Sequence, residues 1–242
     1  MADMKKCLLA AIALVVLCLT SAYAADMPTK APVYKAPPQA ALSWTGFYAG
    51  LQAGYGWSPD PTYTYLPVGR SVSFGTHGFV GGVTAGYNWQ VHSWVLGLEG
   101  DLSYADVSGN TLGPFGAAPC YVQGCTAKLS WFGTGRVRAG YAFDRFLPYV
   151  TGGFAVGGVK GTADLGSCAS PTSCGFDTTR WGWTIGGGLE YRLAYNWSAK
   201  IEYLYINLGS PDFPVTPGFV TPFDATSNLT THIVRAGLNY HF

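Results

Sequence analysis

The sequence predicts an all-β fold, an eight-stranded antiparallel transmembrane β-barrel of the up-and-down type. Apolar side chains recur at every second position in eight segments, the connections between those segments alternate between long and short, and charged residues are scarce. The chain of 242 residues is 48% hydrophobic and 11% charged, whereas a soluble globular domain carries about 25% charged residues. Much of the protein surface is therefore expected to face something other than water.

Composition also restricts the kinds of partner. A formal net charge of +1 gives no long-range field that would attract nucleic acid. No run of residues after the N-terminal region approaches the ~18 consecutive apolar residues of a membrane-spanning helix. If the protein lies in a membrane, it is expected to cross it with strands.

The first 43 residues predict a targeting signal followed by a tether. Lys5 and Lys6 precede the apolar run CLLAAIALVVLCL, and Ala22-Tyr23-Ala24 follows as an A-x-A cleavage site. This order is typical of a secretory signal peptide over residues 1–24. Residues 25–43, ADMPTKAPVYKAPPQAALS, lack periodicity and are rich in Pro, Ala and Lys. They predict an extended periplasmic tether before a barrel domain over residues 44–242.

Each of the eight segments alternates with period two and is long enough to cross a bilayer, which needs about 9–11 residues per strand. The predicted strands are 44–57, 78–90, 93–105, 128–141, 147–158, 180–193, 197–206 and 230–242. In 128–141 the alternation places Leu129 and Trp131 on the outward face, and Lys128 and Ser130 on the inward face. Aromatic residues collect near both ends of the strands, as they do at lipid–water interfaces.

The connections near 58–77, 107–127, 159–179 and 207–229 are long, and those near His92, Asp144 and Asn196 are tight turns. Four long extracellular loops opposite short periplasmic turns are typical of an outer-membrane barrel. The chain ends on the strand pattern IVRAGLNYHF. We expect this last strand to close the barrel against the first, because an open strand edge has no water to bond in lipid.

Among the inward positions of the predicted strands are four acids and five bases that would share the lumen. The interior of an eight-stranded barrel is just wide enough for side chains to fill, and unpaired charges there would be very costly. We therefore predict an ion-pair network that closes the lumen; the alternative is that Arg136 and Arg138 line an anion-conducting constriction. The nine residues are Glu99, Asp101, Arg136, Arg138, Glu190, Arg192, Lys200, Glu202 and Arg235.

Four cysteines remain once the signal peptide is removed, as the close pairs Cys120/Cys125 and Cys168/Cys174. Four cysteines allow three pairings. The short spacings favour two local disulfides within the long loops, and export favours oxidation. No histidine lies near either pair in the sequence, so no metal site is expected.

The histidines do not predict an enzyme. His77 and His232 lie near the long-loop ends, His92 falls in a turn, and His241 lies at the opposite end of the barrel. Neither His77 nor His232 has a serine or an acid at a spacing that suggests catalysis. We expect neither catalytic activity nor a cofactor.

Several segments together resemble one known family. They are the lead ADMPTKAPVYKAPP, then WTGFYAGLQAGYGW, VTAGYNWQ, LPYVTGGFAVGG and WTIGGGLEYRL, and finally the terminal Phe242. In this order they are similar to the small surface-antigen ("porin family") barrels of alphaproteobacterial outer membranes, relatives of the OmpA transmembrane domain. The resemblance implies that the outer-membrane assembly machinery reads Phe242, supported by Tyr240.

The expected function is that of a structural and surface-exposed barrel, with antigenic or adhesive loops, in the bacterial outer membrane. Both termini would lie in the periplasm, and the partners would be membrane lipids and lipopolysaccharide. One alternative is a small, low-conductance porin-like channel. A weaker alternative is binding of a host, phage or small apolar ligand by the loops.

Overall fold

The computed structural model describes residues 42–58, 62–65, 70–111, 125–163, 175–209 and 230–242. The predicted signal peptide and nearly all of the predicted tether lie outside these ranges. Ten strands are present in the described residues: β1 (Gly46–Ser58), β2 (Thr62–Tyr65), β3 (Arg70–Ser73), β4 (Thr76–Val91), β5 (Trp94–Thr111), β6 (Cys125–Tyr141), β7 (Phe146–Ala163), β8 (Gly175–Arg192), β9 (Trp197–Asn207) and β10 (Thr230–His241).

Eight of these strands form a closed barrel in the order β1-β10-β9-β8-β7-β6-β5-β4, with antiparallel neighbours throughout. The last strand pairs with the first, from Tyr48 opposite His241 to Trp57 opposite His232. The predicted fold is therefore confirmed. The range 58–77, expected to be only a loop, contains the hairpin β2–β3 as a separate two-stranded sheet.

Strands β5 to β8 continue beyond their predicted ends on the long-loop side. β5 runs to Thr111 and β7 to Ala163, while β6 begins at Cys125 and β8 at Gly175. The outward positions there become polar or charged, so the apolar alternation that marks the membrane-crossing part stops. The backbone ladder does not depend on that alternation and continues through these residues.

A β-bulge changes which side chains of β6 enter the barrel. The register shifts between Tyr104 and Val107 on β5, and between Leu129 and Trp131 on β6. Ser130 is an extra residue against β7, and one extra residue reverses the two faces of a strand. Leu129 is therefore buried in the barrel and Lys128 points outward. The sequence-based facing of these two residues was wrong.

The exterior of the barrel is apolar and the buried core lies inside. Large side chains are more than half exposed along the middle of the strands, including Phe47, Leu51, Val83 and Ile185. A water-soluble monomer rarely exposes a continuous apolar surface of this size. Near the turns, aromatic rings pack edge to face or tilted, as in the pairs Trp94–Tyr141 and Trp197–Tyr240. In the part of the chain that the structure describes, no helix is long and apolar enough to cross a membrane.

Two adjacent glycines of β7 provide a matched test of how closely the strands approach. A methyl group on Gly153 would overlap the Gly135 carbonyl oxygen and lie 2.8 Å from the Arg136 Cα atom. A methyl group on Gly152 would have its nearest neighbour, the Thr184 carbonyl oxygen, at 3.5 Å. We expect Gly153→Ala to lower the free energy of unfolding by about 1–3 kcal/mol, as overpacking does, and Gly152→Ala to change it by less than about 0.5 kcal/mol.

Urea unfolding in detergent, followed by the heat-dependent mobility of the folded barrel on gels, measures both variants. Equal stability of the two would contradict the close approach of β6 and β7 at Gly153.

Candidate functional site in the barrel lumen

The middle of the lumen is filled by buried ion pairs in which one arginine contacts three carboxylates. The Arg136 guanidinium reaches Glu99, and lies 3.0 Å from Asp101 and 3.1 Å from Glu202. Arg235 lies 3.1 Å from Asp101 and 2.6 Å from Glu202. These five side chains are at most 1% exposed. Asp101 and Glu202 therefore each exchange their hydration for two cationic partners, as burial of a charge requires.

A second group of contacts extends this layer toward the turns. The Arg138 guanidinium lies 2.6 Å from Glu190 and 3.4 Å from Glu99, and its carbon is 4.2 Å from the centre of the Tyr149 ring. The Lys200 ammonium lies 3.1 Å from Glu99. Together with the first group, the contacts join four acids to four bases. Formal charge in this layer is therefore balanced, and the acids and bases come from β5, β6, β8, β9 and β10.

Arg192 differs from its predicted place in this network. Its guanidinium stacks on Trp44, 4.5 Å from the ring centre, and donates hydrogen bonds to the carbonyl oxygens of Ser43 (2.9 Å) and Tyr195 (3.1 Å). It lies two residues beyond Glu190, next to the turn, and its head group points to the mouth of the barrel. Here a backbone segment and an aromatic ring replace the expected carboxylate.

Trp44 fills the mouth of the barrel at the turn end. The side chain is fully buried and packs in a cluster with Val95 and Leu147. Its backbone N–H donates to the Gln90 side-chain oxygen (2.7 Å), and its ring centre lies 5.9 Å from that of His241 in an edge-to-face contact. The residues just before β1 thus cover the ion-pair layer from this side.

An apolar layer fills the lumen on the long-loop side of the ion pairs. Alternation alone does not predict this layer, although the consecutive apolar residues YLYI (203–206) and IV (233–234) show that both faces of these strands turn apolar there. The β-bulge adds Leu129 to the layer. Its buried members are Val80, Ala105, Val107, Leu129, Phe132, Ala155, Val159, Leu204, Ile206, Leu208 and Ile233.

The structure brings together a serine, a histidine and an acid that sequence spacing did not connect. Ser198 Oγ lies 2.9 Å from His241 Nε2, and Glu190 Oε1 lies 3.4 Å from the same nitrogen. In a hydrolytic triad the acid binds the other ring nitrogen and so orients the imidazole toward the serine. Here both groups meet one nitrogen, and all three side chains are buried. The arrangement holds the Glu190 carboxylate, which also accepts from Asn239 at 2.9 Å.

The other histidines lie away from the lumen. His77 and His232 flank Trp57 on the outside of the barrel, and His232 stacks on it with ring centres 5.7 Å apart. The Tyr203 hydroxyl lies 2.7 Å from His232 Nδ1. Within the described ranges, no group of three or more His, Cys, Asp or Glu residues is placed to hold a metal ion.

The cysteines of the predicted loop disulfides lie outside the described residues or at their edge. Cys120, Cys168 and Cys174 lie outside the described residues, and Cys125 is described only as the first residue of the β6 backbone. The proposed pairing remains a prediction.

A closed antiparallel barrel with an apolar exterior and a lumen filled by ion pairs is a transmembrane β-barrel, since every backbone group is paired where lipid would surround it. The family model described as outer membrane protein beta-barrel domain matches residues 10–242. The chain belongs to this family, and its place is the bacterial outer membrane. The predicted resemblance and localisation are thereby confirmed.

Relatives cover the chain almost completely. The 31 kDa outer-membrane immunogenic protein of Brucella melitensis is 40% identical over 251 residues, which span 99% of this chain and 100% of the relative. The 25 kDa outer-membrane immunogenic protein of Brucella abortus is 30% identical, over 92% of this chain and 91% of its own. Among solved structures, Ail, the attachment invasion locus protein of Yersinia pestis, matches with a TM-score of 0.42 and 12% identity, over 82% of this chain and 99% of its own.

The buried and exposed carboxylates allow a matched test of the network. Glu202→Gln removes a charge that faces Arg136 and Arg235 in the lumen, whereas Asp106→Asn removes one that pairs with Lys128 on the exposed exterior. We expect the free energy of unfolding to fall by about 3 kcal/mol for Glu202→Gln, because an uncompensated buried cation remains. For Asp106→Asn the expected loss is below about 1 kcal/mol.

Urea midpoints of both variants in lipid vesicles would give these values. Similar small losses would mean that the lumen charges are hydrated and contribute no more than surface pairs.

Proposed function

We propose that this protein is a structural and surface-exposed component of the outer membrane, with a lumen closed to solutes. The observation that carries the proposal is the filling of the lumen by three successive layers: Trp44 at the turn end, the ion pairs in the middle, and the apolar layer on the long-loop side. A hydrated ion would have to separate buried charges and then pass an apolar constriction. Both steps oppose conduction.

A porin-like channel is less well supported. An anion-selective constriction needs cationic groups that face open water. The guanidinium groups of Arg136 and Arg138 instead contact carboxylates, and their side chains are at most 1% exposed. The geometry of these two arginines therefore favours a structural role over a conducting one.

Catalysis is not part of the proposed function. Both Brucella relatives carry the name of an outer-membrane immunogenic protein rather than of an enzyme. The buried Ser198–His241–Glu190 arrangement lacks the geometry of a hydrolytic triad. This supports a barrel without enzymatic activity.

Membrane lipids and lipopolysaccharide are the proposed surroundings of the exterior, and the long loops are proposed as antigenic or adhesive surfaces. The names of the Brucella relatives support the antigenic part. The weaker hypothesis, binding of a host, phage or small apolar ligand, concerns loop residues that lie outside the described ranges.

The proposed assembly signal is the aromatic end of β10. Phe242 is 77% exposed, and its ring lies 5.2 Å from the Tyr240 ring in an edge-to-face contact. Its backbone N–H donates to the Phe47 carbonyl oxygen at 2.9 Å. An exposed ring on a fixed backbone is available to the outer-membrane assembly machinery, which supports the role proposed for these two residues.

Planar-bilayer conductance of the refolded protein tests the closed lumen. We expect silence or rare brief openings from the wild type, and a lower thermal midpoint for Arg136→Gln/Arg138→Gln, because the double variant leaves buried carboxylates without partners. Lys160→Gln, which removes an exposed cation, is the control. Steady, voltage-tolerant channels whose ion selectivity changes in the arginine variant would overturn the proposal in favour of a pore.

A further inference from the structure

A row of four charges crosses the exterior of β5 to β8 on the long-loop side. The order is acid, base, base, acid: Asp106, Lys128, Lys160 and Asp177. Lys128 Nζ lies 2.7 Å from Asp106 and Lys160 Nζ lies 2.8 Å from Asp177, and the four side chains are 43–66% exposed. Among the outward-facing side chains described on the eight barrel strands, these four are the ones with a formal charge.

The two lysines stand directly opposite each other. Lys128 on β6 and Lys160 on β7 are register partners, and like charges in that position repel. Each ammonium contacts one acid on its outer side and has three N–H donors. Donors therefore remain on both lysines for an anion between them, and such an anion would relieve the repulsion.

The row lies where the head groups of membrane lipids are expected. The next outward residues toward the turns on β5 and β6 are Tyr104 and Trp131, which are 59% and 37% exposed. Tyr and Trp collect at the lipid–water interface of transmembrane barrels. Side chains one outward position beyond that level reach the phosphates of the lipid head groups.

A groove of about 690 Å³ opens on the lipid-facing side of β1 and of β4 to β7. Phe47 and Tyr87 line one side of it, and Phe154 lines another. Gly100 and Gly135, which are register partners on β5 and β6, form part of the floor. Apart from Tyr48, Glu99 and Arg136, whose side chains are buried in the lumen, the lining residues are apolar or glycine, so the groove suits an alkyl chain.

The lysine pair and the groove are separated by a distance that suits one lipid molecule. Lys128 and Gly135 are seven residues apart on β6. A rise of about 3.3 Å per residue and a tilt of 35–45° give a difference in depth of about 17 Å. This is about half of the ~30 Å hydrocarbon thickness of a bilayer, the depth that one acyl chain occupies.

We propose that the exterior of β5–β7 binds one phosphate-bearing membrane lipid, with its phosphate between Lys128 and Lys160 and one acyl chain in the groove. The charge complementarity of the lysine pair selects the head group, and the apolar groove holds the chain. The site lies outside the barrel, so it does not depend on whether the lumen conducts.

Native mass spectrometry of the refolded full-length protein, with dioleoyl phosphatidic acid and dioleoylglycerol as probes, tests the site. The two lipids share their chains and differ in the phosphate. We expect one phosphatidic acid per barrel, held at least about tenfold more tightly than the diacylglycerol. Lys128→Gln/Lys160→Gln should weaken its binding by about tenfold to thirtyfold, the effect of two ammonium groups near a membrane surface. Asp106→Asn/Asp177→Asn should not weaken it.

The groove has its own matched pair of variants. A Cβ atom on Gly100 would meet only the Thr134 carbonyl oxygen, at 3.8 Å, so the backbone leaves room for a side chain there, and we expect Gly100→Leu to fill part of the groove. Ala53→Leu adds the same side chain to the exposed lipid face of β1, outside the groove. We expect Gly100→Leu to weaken phosphatidic acid binding several-fold and Ala53→Leu to leave it unchanged.

Each variant is first shown to be folded by its heat-dependent gel mobility. Equal retention of the two lipids by the wild type would overturn the proposal without any variant. Unchanged binding in the lysine variant, or equal effects of Gly100→Leu and Ala53→Leu, would also overturn it. Displacement of the lipid by millimolar inorganic phosphate would overturn it too, because that result would indicate an anion site without an acyl chain.

Discussion

Lipid offers no hydrogen bonds to a backbone, and the rest of this structure depends on that constraint. Each strand of the barrel is paired on both sides, and the pairing of β1 with β10 removes the last free edge. Once the sheet is closed, alternation along each strand assigns one set of side chains to the membrane and the other to a narrow interior. The scarcity of charge on the exterior and its concentration in the lumen are two results of the same closure.

The charged interior links parts of the chain that are far apart in sequence. Arg235 on the last strand contacts Asp101, and Arg136 contacts Glu202. Each of these four residues has ion-pair partners on two other strands, so removing one side chain disturbs several contacts at once. The apolar layer and Trp44 exclude water from both sides of the ion pairs, and in a drier interior the remaining charge–charge interactions are stronger. The layers therefore reinforce each other, and this supports a structural role for the lumen.

The sequence predicted the barrel well because its main signal, period-two alternation, is local. It placed the acids and bases of the lumen on the inward face for the same reason. Three features depend on information that alternation does not carry. The bulge at Ser130 reverses the facing of Lys128 and Leu129. The partners of Arg192 come from the turn and from residues before β1. The contact between Ser198 and His241 depends on how β9 and β10 pair. Each requires the register between strands rather than the pattern within one.

The bulge in β6 also affects which substitutions the strands of the barrel can accept. In a strand with strict alternation, every second residue faces outward from one end to the other. The residues that face lipid at the centre therefore determine which residues face outward near the loops. The extra residue Ser130 resets that alternation between Trp131 and Leu129. On the turn side of Ser130, β6 places apolar side chains toward the membrane. On the long-loop side, it places Leu129 in the interior and Lys128 on the exterior. Insertion of a single residue is thus enough to separate the two parts of a strand. The side chains suited to the part beyond the bilayer then no longer depend on those in the part within it.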